Sequence, residues 1–121
     1  MPRPRKRKRV CEEPKRKLFG SLDGSRTHDK FIIMLVEEYE TIRLIDYEGF
    51  TQAECADQMA VARTTVQSLY EKARKKLAST LIENRPIKIE GGFYRFCSEE
   101  DICNQPGCDF INEREQSEKH Q

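Results

Sequence analysis

The chain has 121 residues, of which 36% are hydrophobic and 36% charged, and its formal net charge is +1. This length suits one small domain with tails. No apolar run reaches the ~18 residues that a transmembrane helix needs, and the basic N-terminus lacks the apolar segment of a secretory signal. The five cysteines, an odd number without an export signal, are typical of a reducing cytoplasm and argue against disulfides.

Although the net charge is close to zero, the charges are strongly segregated along the chain. Residues 1–17 carry +7, residues 18–96 carry −1 and residues 97–121 carry −5. Such asymmetry is typical of a polyanion-binding arm at one end and a solvated tail at the other. We therefore expect three parts: a disordered basic arm (1–17), a folded domain (18–96) and an acidic tail (97–121).

The first elements follow from local pattern. Residues 1–10 combine two prolines with six like charges, so we expect neither a helix nor a strand there. The apolar run 31–36 is a strand or the lead-in to a helix. Residues 36–48 have helical periodicity, with Gly49 just past the predicted helix end. The apolar face of this helix comprises Leu35, Tyr39, Ile42 and Ile45.

Two further helices with a short turn between them are predicted next. Thr51 and Glu54 form a capping box for a helix over residues 51–60, whose inner face is Cys55, Ala56 and Met59. A longer helix follows from about residue 63 to 82, with a buried stripe of Val66, Leu69, Ala73, Leu77 and Leu81. Helix, tight turn and helix in this order are typical of a DNA-binding helix-turn-helix.

Two alanines depart from the usual helix-turn-helix pattern. Ala60 stands where glycine is usual, so it has to adopt a left-handed backbone at a cost of about 1 kcal/mol. Ala62 stands where a capping serine is usual, and the missing cap costs about 1 kcal/mol. Neither change removes the polar face of the second helix.

The end of the domain has a β pattern. Apolar and polar residues alternate around Gly91-Gly92 in residues 87–96, which predicts a hairpin. The expected fold is therefore mainly α, a three-helix helix-turn-helix core with a C-terminal β-hairpin. From residue 112 onward the composition predicts disorder.

The second helix of the pair carries the residue types that read DNA. Arg63, Thr64, Gln67 and Ser68 share its exposed face, where Arg can bind guanine and Gln adenine in bidentate fashion. Residues 63–76 carry +4 and residues 34–57 carry −6. We therefore expect the acidic stretch to repel DNA and the basic stretch to attract it, which orients the protein on the duplex. The alternative is a helical hairpin with a solvated charged face. The predicted phosphate contacts on this helix are Lys72, Arg74, Lys75 and Lys76.

The N-terminal arm adds a second set of cations. They are expected to bind the phosphate backbone through counterion release, and such an arm can also lie in a minor groove. The alternatives are a solubilising tail or incidental RNA binding. The residues of this set are Arg3, Arg5, Lys6, Arg7, Lys8 and Arg9.

Three cysteines lie close together near the C-terminus. Cys97, Cys103 and Cys108 occur within twelve residues, with Cys11 as a tentative fourth ligand, and this set predicts a Zn or Fe–S site. The alternative is a group of reduced thiols without a metal. Cys55 is predicted to be a small core residue. No nucleophile with a base, glycine-rich phosphate loop or metalloenzyme motif occurs, so no enzyme is expected.

Longer segments carry a family resemblance. The segment T-Q-A-E-C-A-D-Q-M-A-V-A-R-T-T-V, with A-R-K-K-L downstream, resembles region 4 of bacterial sigma factors. The wider chain resembles a family of small prokaryotic predicted DNA-binding proteins of unknown function. The shared motifs are M-P-R-P-R-K, V-C-x-x-P, E-E-Y-E-x-I-R-L-I-D-x-E-G, T-Q-A-E-C-A and I-E-G-G, together covering roughly residues 1–95. The resemblance implies a sigma-region-4-like DNA-binding fold.

These observations predict a sequence-specific double-stranded DNA-binding protein that regulates transcription in the cytoplasm, on the nucleoid. One alternative is a metal- or redox-sensing regulator that uses the cysteine cluster. Another is an adaptor that binds RNA polymerase. A homodimer is compatible with each, and no membrane contact is expected.

Overall fold

The computed structural model describes residues 7–11, 13–23 and 30–97. Within these ranges, a π-helical turn (Arg43–Tyr47) continues the first helix. The helices and strands follow in the order β1 Lys8–Val10, β2 Leu18–Phe19, β3 Ile32–Met34, α1 Val36–Ile42, α2 Gln52–Met59, α3 Arg63–Glu83, β4 Ile87–Ile89 and β5 Tyr94–Phe96.

The predicted helices are confirmed closely. α1 and its π-helical turn span residues 36–47, and Gly49 follows with a φ of 82°. α2 and α3 begin and end within one residue of the positions that the pattern predicts. The apolar run 31–36 contains a short strand, β3, that leads directly into α1.

The strands form two sheets that the sequence did not predict. β4 lies between β2 and β3, antiparallel to the first and parallel to the second. β1 pairs in parallel with β5, with Lys8 opposite Tyr94 and Val10 opposite Phe96. The expected fold, a mainly α three-helix core with a C-terminal hairpin, is therefore wrong. Strands from the N-terminal third of the chain pair with both strands that were assigned to the hairpin.

No hairpin forms because β4 and β5 pair with other strands, on either side of a loop that crosses the N-terminus of α1. Gly91 and Gly92 have φ of 78° and 116°, and they carry the chain across the N-terminus of α1 instead of folding it back. The Val36 amide donates to the Gly91 carbonyl at 3.1 Å, and the Phe93 amide donates to Glu37 Oε1 at 3.0 Å. These bonds direct β4 and β5 into different sheets.

The prediction that residues 1–10 contain no strand is wrong at β1. Alternation in Lys8–Val10 places Val10 in the interior with no exposed surface, in the apolar core that both sheets line. Burial of one large apolar side chain contributes roughly 1.5–3 kcal/mol. That gain, together with the ladder to β5, offsets the repulsion among neighbouring cations.

α3 connects two apolar cores. Its first half contributes Val66 and Leu69 to a core shared with α2 and the π-helical turn. Its second half contributes Ala73, with Leu77 partly buried, to a core lined by both sheets. Leu81 was predicted to be buried but is 83% exposed, because the last turns of α3 extend past both cores.

Candidate nucleic-acid interface

The start of α2 is fixed by the predicted capping box. Thr51 Oγ1 accepts a hydrogen bond from the Glu54 amide at 3.1 Å, and Glu54 Oε1 accepts one from the Thr51 amide at 3.0 Å. These hydrogen bonds from Thr51 lower the pKa of Glu54. Two of the unpaired amides at this helix end are thereby satisfied.

A three-residue turn, Ala60 to Ala62, joins α2 to α3. Ala60 has φ 58° and ψ 45°, the left-handed conformation that the sequence predicts. Ala62 precedes α3 in extended conformation without a side-chain cap, also as predicted. The Val61 amide donates to the Ala56 carbonyl at 3.0 Å and closes the turn.

The four predicted base-reading side chains lie together on the surface. Arg63, Thr64, Gln67 and Ser68 occupy the first two turns of α3, and all four are exposed. The opposite side of the same turns is held in the interior by Val66 and Leu69. The face is therefore rigidly supported and open to solvent, as a groove-reading face has to be.

The cations that follow on α3 divide into two groups. Lys72, Arg74 and Lys75 are exposed. The Arg74 guanidinium lies 5.3 Å from the centroid of the Tyr70 ring, and the Tyr70 hydroxyl donates to Asp46 at 2.7 Å. Lys76, also predicted to bind phosphate, instead bonds the buried Glu38 carboxylate at 2.6 Å.

The basic arm ends inside the fold. Lys8 is 7% exposed, and its ammonium lies 3.1 Å from the buried Glu37 carboxylate. Arg9 Nε donates to the Gln58 carbonyl near the end of α2 at 2.6 Å. Arg7 is exposed, with its guanidinium 5.7 Å from the Phe93 ring centroid. The other predicted arm contacts, Arg3, Arg5 and Lys6, lie outside the described residues.

The anchor of the arm, Lys8, lies beside the predicted base-reading face. Lys8 lines a shallow cleft of about 400 Å³ together with Thr64, Ser68 and Lys72. The chain N-terminal to Lys8 therefore enters the structure next to the first turns of α3. The structure brings together two features that are separated by more than 50 positions in the sequence.

Three buried acidic residues of α1 form ion pairs with cations of this region. Glu37, Glu38 and Glu40 are at most 1% exposed, and each is paired with a different cation: Lys8, Lys76 and Arg43. The acidity of residues 34–57 was expected to repel DNA, but these three carboxylates are internal and neutralised. Sequence reasoning missed the pairs of Glu37 and Glu38 because Lys8 and Lys76 lie on β1 and α3, far away along the chain. Glu40 and Arg43 are only three positions apart.

The described cysteines have different surroundings. Cys55 is fully buried, with its thiol 3.7 Å from the Met59 sulfur, and burial raises its pKa to about 12. Cys11 and Cys97 follow the paired residues Val10 and Phe96 at the ends of β1 and β5. Within the described ranges no cluster of three or more metal-binding side chains occurs. Cys103 and Cys108 lie outside those ranges.

The helices described here include none that is long and apolar enough to span a bilayer. No solved structure matches the chain.

Sequence comparisons identify the family. The model of "Protein of unknown function DUF134" matches residues 1–97, so the match ends just after β5. A UPF0251 protein of Desulfitobacterium hafniense is 56% identical over 97 residues, which cover 80% of this chain and 78% of the relative. A UPF0251 protein of Caldicellulosiruptor saccharolyticus is 45% identical over 103 residues (85% and 72%), and one of Methanococcus maripaludis is 36% identical over 105 residues (85% and 80%). The resemblance to a family of unknown function is thus confirmed, and the chain belongs to the DUF134 (UPF0251) family.

Proposed function

We propose that this protein binds double-stranded DNA in a sequence-specific manner and regulates transcription. The observation that carries the proposal is the exposed face of Arg63, Thr64, Gln67 and Ser68, with Lys8 of the anchored arm beside it. The proposal assigns no enzyme activity, and its site of action is the nucleoid in the cytoplasm.

The chemistry of the α3 face fits base edges in a major groove. Arg63 has the donor geometry for guanine, and Gln67 can both donate to and accept from adenine. Thr64 and Ser68 can bind a base or a phosphate. These side chains lie near the N-terminus of α3, the part of a recognition helix that usually enters the groove.

The cations around this face fit phosphate. Lys72, Arg74 and Lys75 are exposed along the next turns of α3, so they would meet the backbone beside the groove. Lys8 and Lys76 are held in ion pairs with buried carboxylates, and we assign them to positioning the arm and α3. The remaining arm cations, Arg3, Arg5, Lys6 and Arg7, would lie along the adjacent backbone or minor groove.

The roles can be separated by measuring binding to selected and random DNA. Genomic fragments retained by the protein define a preferred site, and affinities for that site and for a scrambled site are then compared. Gln67→Ala should weaken binding to the preferred site by roughly tenfold and leave the scrambled site unchanged, because one bidentate contact contributes about 1–3 kcal/mol of discrimination. Lys75→Ala should weaken both equally.

Lys88→Ala is the matched control for charge. It removes one exposed cation from β4, whose ammonium pairs with Glu90 at 3.2 Å, away from the α3 face. It should bind both sites like the parent protein. Equal loss on both sites for Gln67→Ala, the pattern expected of Lys75→Ala, would contradict the assigned roles. Binding to RNA polymerase without DNA affinity at physiological salt would replace the proposal by the adaptor alternative.

We also propose that two copies bind together through the far end of α3. Leu81 and Ile82 are exposed there, and an apolar cavity of about 750 Å³ separates this end from β2. The exposed Leu18 and Leu22 line a second, smaller cavity of about 260 Å³ that shares Phe19 with the first. Leu81 is about 27 Å along the helix axis from Arg63, so a contact between copies here leaves both base-reading faces open.

The mass of the protein in solution tests this contact. The parent protein should be a dimer by light scattering and select a palindromic site, because operator symmetry mirrors protein symmetry. Leu81→Lys with Ile82→Lys should yield a folded monomer. A monomeric parent protein that selects a single unrepeated site would contradict the dimer and leave DNA binding itself intact.

A further inference from the structure

A cleft of about 430 Å³ lies between the segment that precedes β2 and the helix formed by α1 and its π-helical turn. This volume falls in the range of roughly 300–1,000 Å³ that small-molecule sites occupy. The described residues that line the cleft include none of α3, so it is separate from the proposed base-reading face. Cations and aromatic side chains line it, among them Lys15, Arg16, Arg43 and Tyr47.

Lys15 and Arg16 are available to bind an anion in this cleft. Both side chains are exposed, and neither forms an ion pair within the described ranges. The carboxylate of Glu13 also lines the cleft, but it pairs with the ammonium of Lys17. Lys15 and Arg16 therefore give this side of the cleft a positive charge that suits a phosphate group.

The backbone that carries these two cations is anchored on both sides. Before them, the Cys11 amide donates to Glu40 Oε2 at 3.0 Å, and Pro14 is buried. After them, the carbonyl of Lys17 accepts the Ile89 amide at 2.7 Å. The cations thus project from a segment whose course is fixed, which lowers the entropic cost of binding a ligand.

Tyr47 and Arg43 supply planar groups on the other side of the cleft. Tyr47 is 77% exposed, and its ring and hydroxyl contact no partner among the described residues. The Arg43 guanidinium donates to Glu40 Oε1 at 2.7 Å and to Glu40 Oε2 at 2.9 Å, so it is held in place and its charge is neutralised. Nucleobases stack on aromatic rings and on guanidinium planes. Arg43 therefore fits a base better than a phosphate.

We propose that this cleft binds one purine nucleoside 5′-phosphate. The base stacks on Tyr47 beside the Arg43 guanidinium, and the phosphate binds Lys15 and Arg16. A purine has a larger ring surface than a pyrimidine, and a 5′-monophosphate carries the charge that two cations match. Because the cleft is the size of a single small molecule, its ligand is a free nucleotide and not a strand. The site goes beyond the proposed DNA binding and uses none of its residues.

Isothermal titration calorimetry of the full-length protein with AMP and GMP tests the site. At least one of the two should bind once per chain with a dissociation constant below about 1 mM. CMP should bind more weakly. Adenosine and inorganic phosphate should each bind at least about tenfold more weakly than the nucleotide, since each keeps only the stacking or only the ionic contacts.

Two variants separate the stacking contact from the ionic contact. Tyr47→Ala should weaken nucleotide binding by at least about fivefold, whereas Tyr47→Phe keeps the ring and should bind like the parent protein. Lys15→Ala combined with Arg16→Ala should lower the affinity for AMP to that for adenosine. These side chains are exposed, so circular dichroism should show an unchanged fold.

Lys75→Ala is the matched control for charge. It also removes an exposed cation, but from α3, and should leave nucleotide affinity unchanged. Four results would each overturn the proposal. They are no binding of AMP or GMP at millimolar concentration, AMP binding no tighter than inorganic phosphate, parent-like affinity in Tyr47→Ala, or a single-stranded RNA decamer that binds more tightly than AMP and is weakened by the same variants. The titrations contain no DNA, so their failure leaves the proposed DNA binding standing.

Discussion

Glu37 holds the N-terminal segment to the rest of the protein. Its side chain is 1% exposed, and it accepts the Phe93 amide at 3.0 Å while pairing with Lys8 at 3.1 Å. Burial of a carboxylate is costly unless it is paired, and removal of one partner of a buried pair costs about 3–5 kcal/mol. Lys8 and Glu37 therefore depend on each other.

A methyl group at Gly92 should disturb this pair. A Cβ there would overlap Glu37 Oε1, and the φ of 116° disfavours any side chain. Gly92→Ala should lower the free energy of unfolding by at least about 3 kcal/mol, since the carboxylate has to leave Lys8. The measurement is urea denaturation followed by circular dichroism.

Gly49→Ala is the control for backbone strain. Its φ is 82°, but no atom lies within 4 Å of the added Cβ, so it should cost only about 1 kcal/mol. Equal losses for the two variants would mean that the position of Glu37 does not matter to stability.

Ala60 and Ala62 keep the turn between α2 and α3 below its attainable stability. Ala60→Gly relieves a left-handed residue and should stabilise the protein by about 1 kcal/mol. Ala62→Ser supplies the missing cap of α3 and should add about 1 kcal/mol. Urea midpoints measure both changes, and the combined variant should show roughly their sum. A loss of stability in either variant would contradict the role given to its backbone position.

At the scale of elements, helices were predictable and strand pairing was not. The boundaries of α2 and α3 are encoded locally, by the Thr51–Glu54 capping box and by apolar residues three and four positions apart. β1 and β5 are separated by more than 80 positions, and nothing in the sequence of Lys8–Val10 indicates which strand it pairs with. A double glycine flanked by alternating residues favours a hairpin when distant strands are ignored. The error in fold class came from these long-range pairings.

Contacts between distant parts of the chain also limited what could be predicted of the candidate site. The positions of Arg63, Thr64, Gln67 and Ser68 on one exposed face follow from helical periodicity alone, and they were predicted correctly. The burial of Lys8 against Glu37 depends on β1 packing beside α1, so local pattern could not reveal it.

β1 should be the part of the N-terminal segment on which stability depends. A variant that begins Met-Lys8 keeps the strand and its ion pair, and should unfold at the same urea concentration as the parent protein. Removal of residues 1–10 deletes Val10 from the core that both sheets line and leaves Glu37 buried without Lys8. This second variant should lose several kcal/mol or fail to fold. Parent-like stability after removal of residues 1–10 would show that β1 contributes little.

In the whole molecule, α3 ties the two proposed DNA-binding features to one rigid body. Val66 and Leu69 fix its proposed base-reading end to the core that includes α2, while Ala73 fixes its second half to the core that includes Val10 of β1. Lys76 joins the same helix to Glu38 of α1. Lys8, which anchors the arm, and the proposed base-reading face therefore have a defined relation, and we expect cations of the arm and of α3 to meet one duplex.

The salt dependence of DNA binding should report this arrangement. Residues 1–7 contain Arg3, Arg5, Lys6 and Arg7. If all four meet phosphates, the variant that begins Met-Lys8 should lower the slope of log affinity against log salt by up to about 4, since each contact contributes about 0.9. A parent-like variant with the three arm arginines changed to lysine keeps every charge and should keep the slope. Titrations at several salt concentrations on the preferred and scrambled sites measure both. An unchanged slope after removal of residues 1–7 would exclude the arm from the DNA interface, while a slope that falls only on the preferred site would assign it to base recognition.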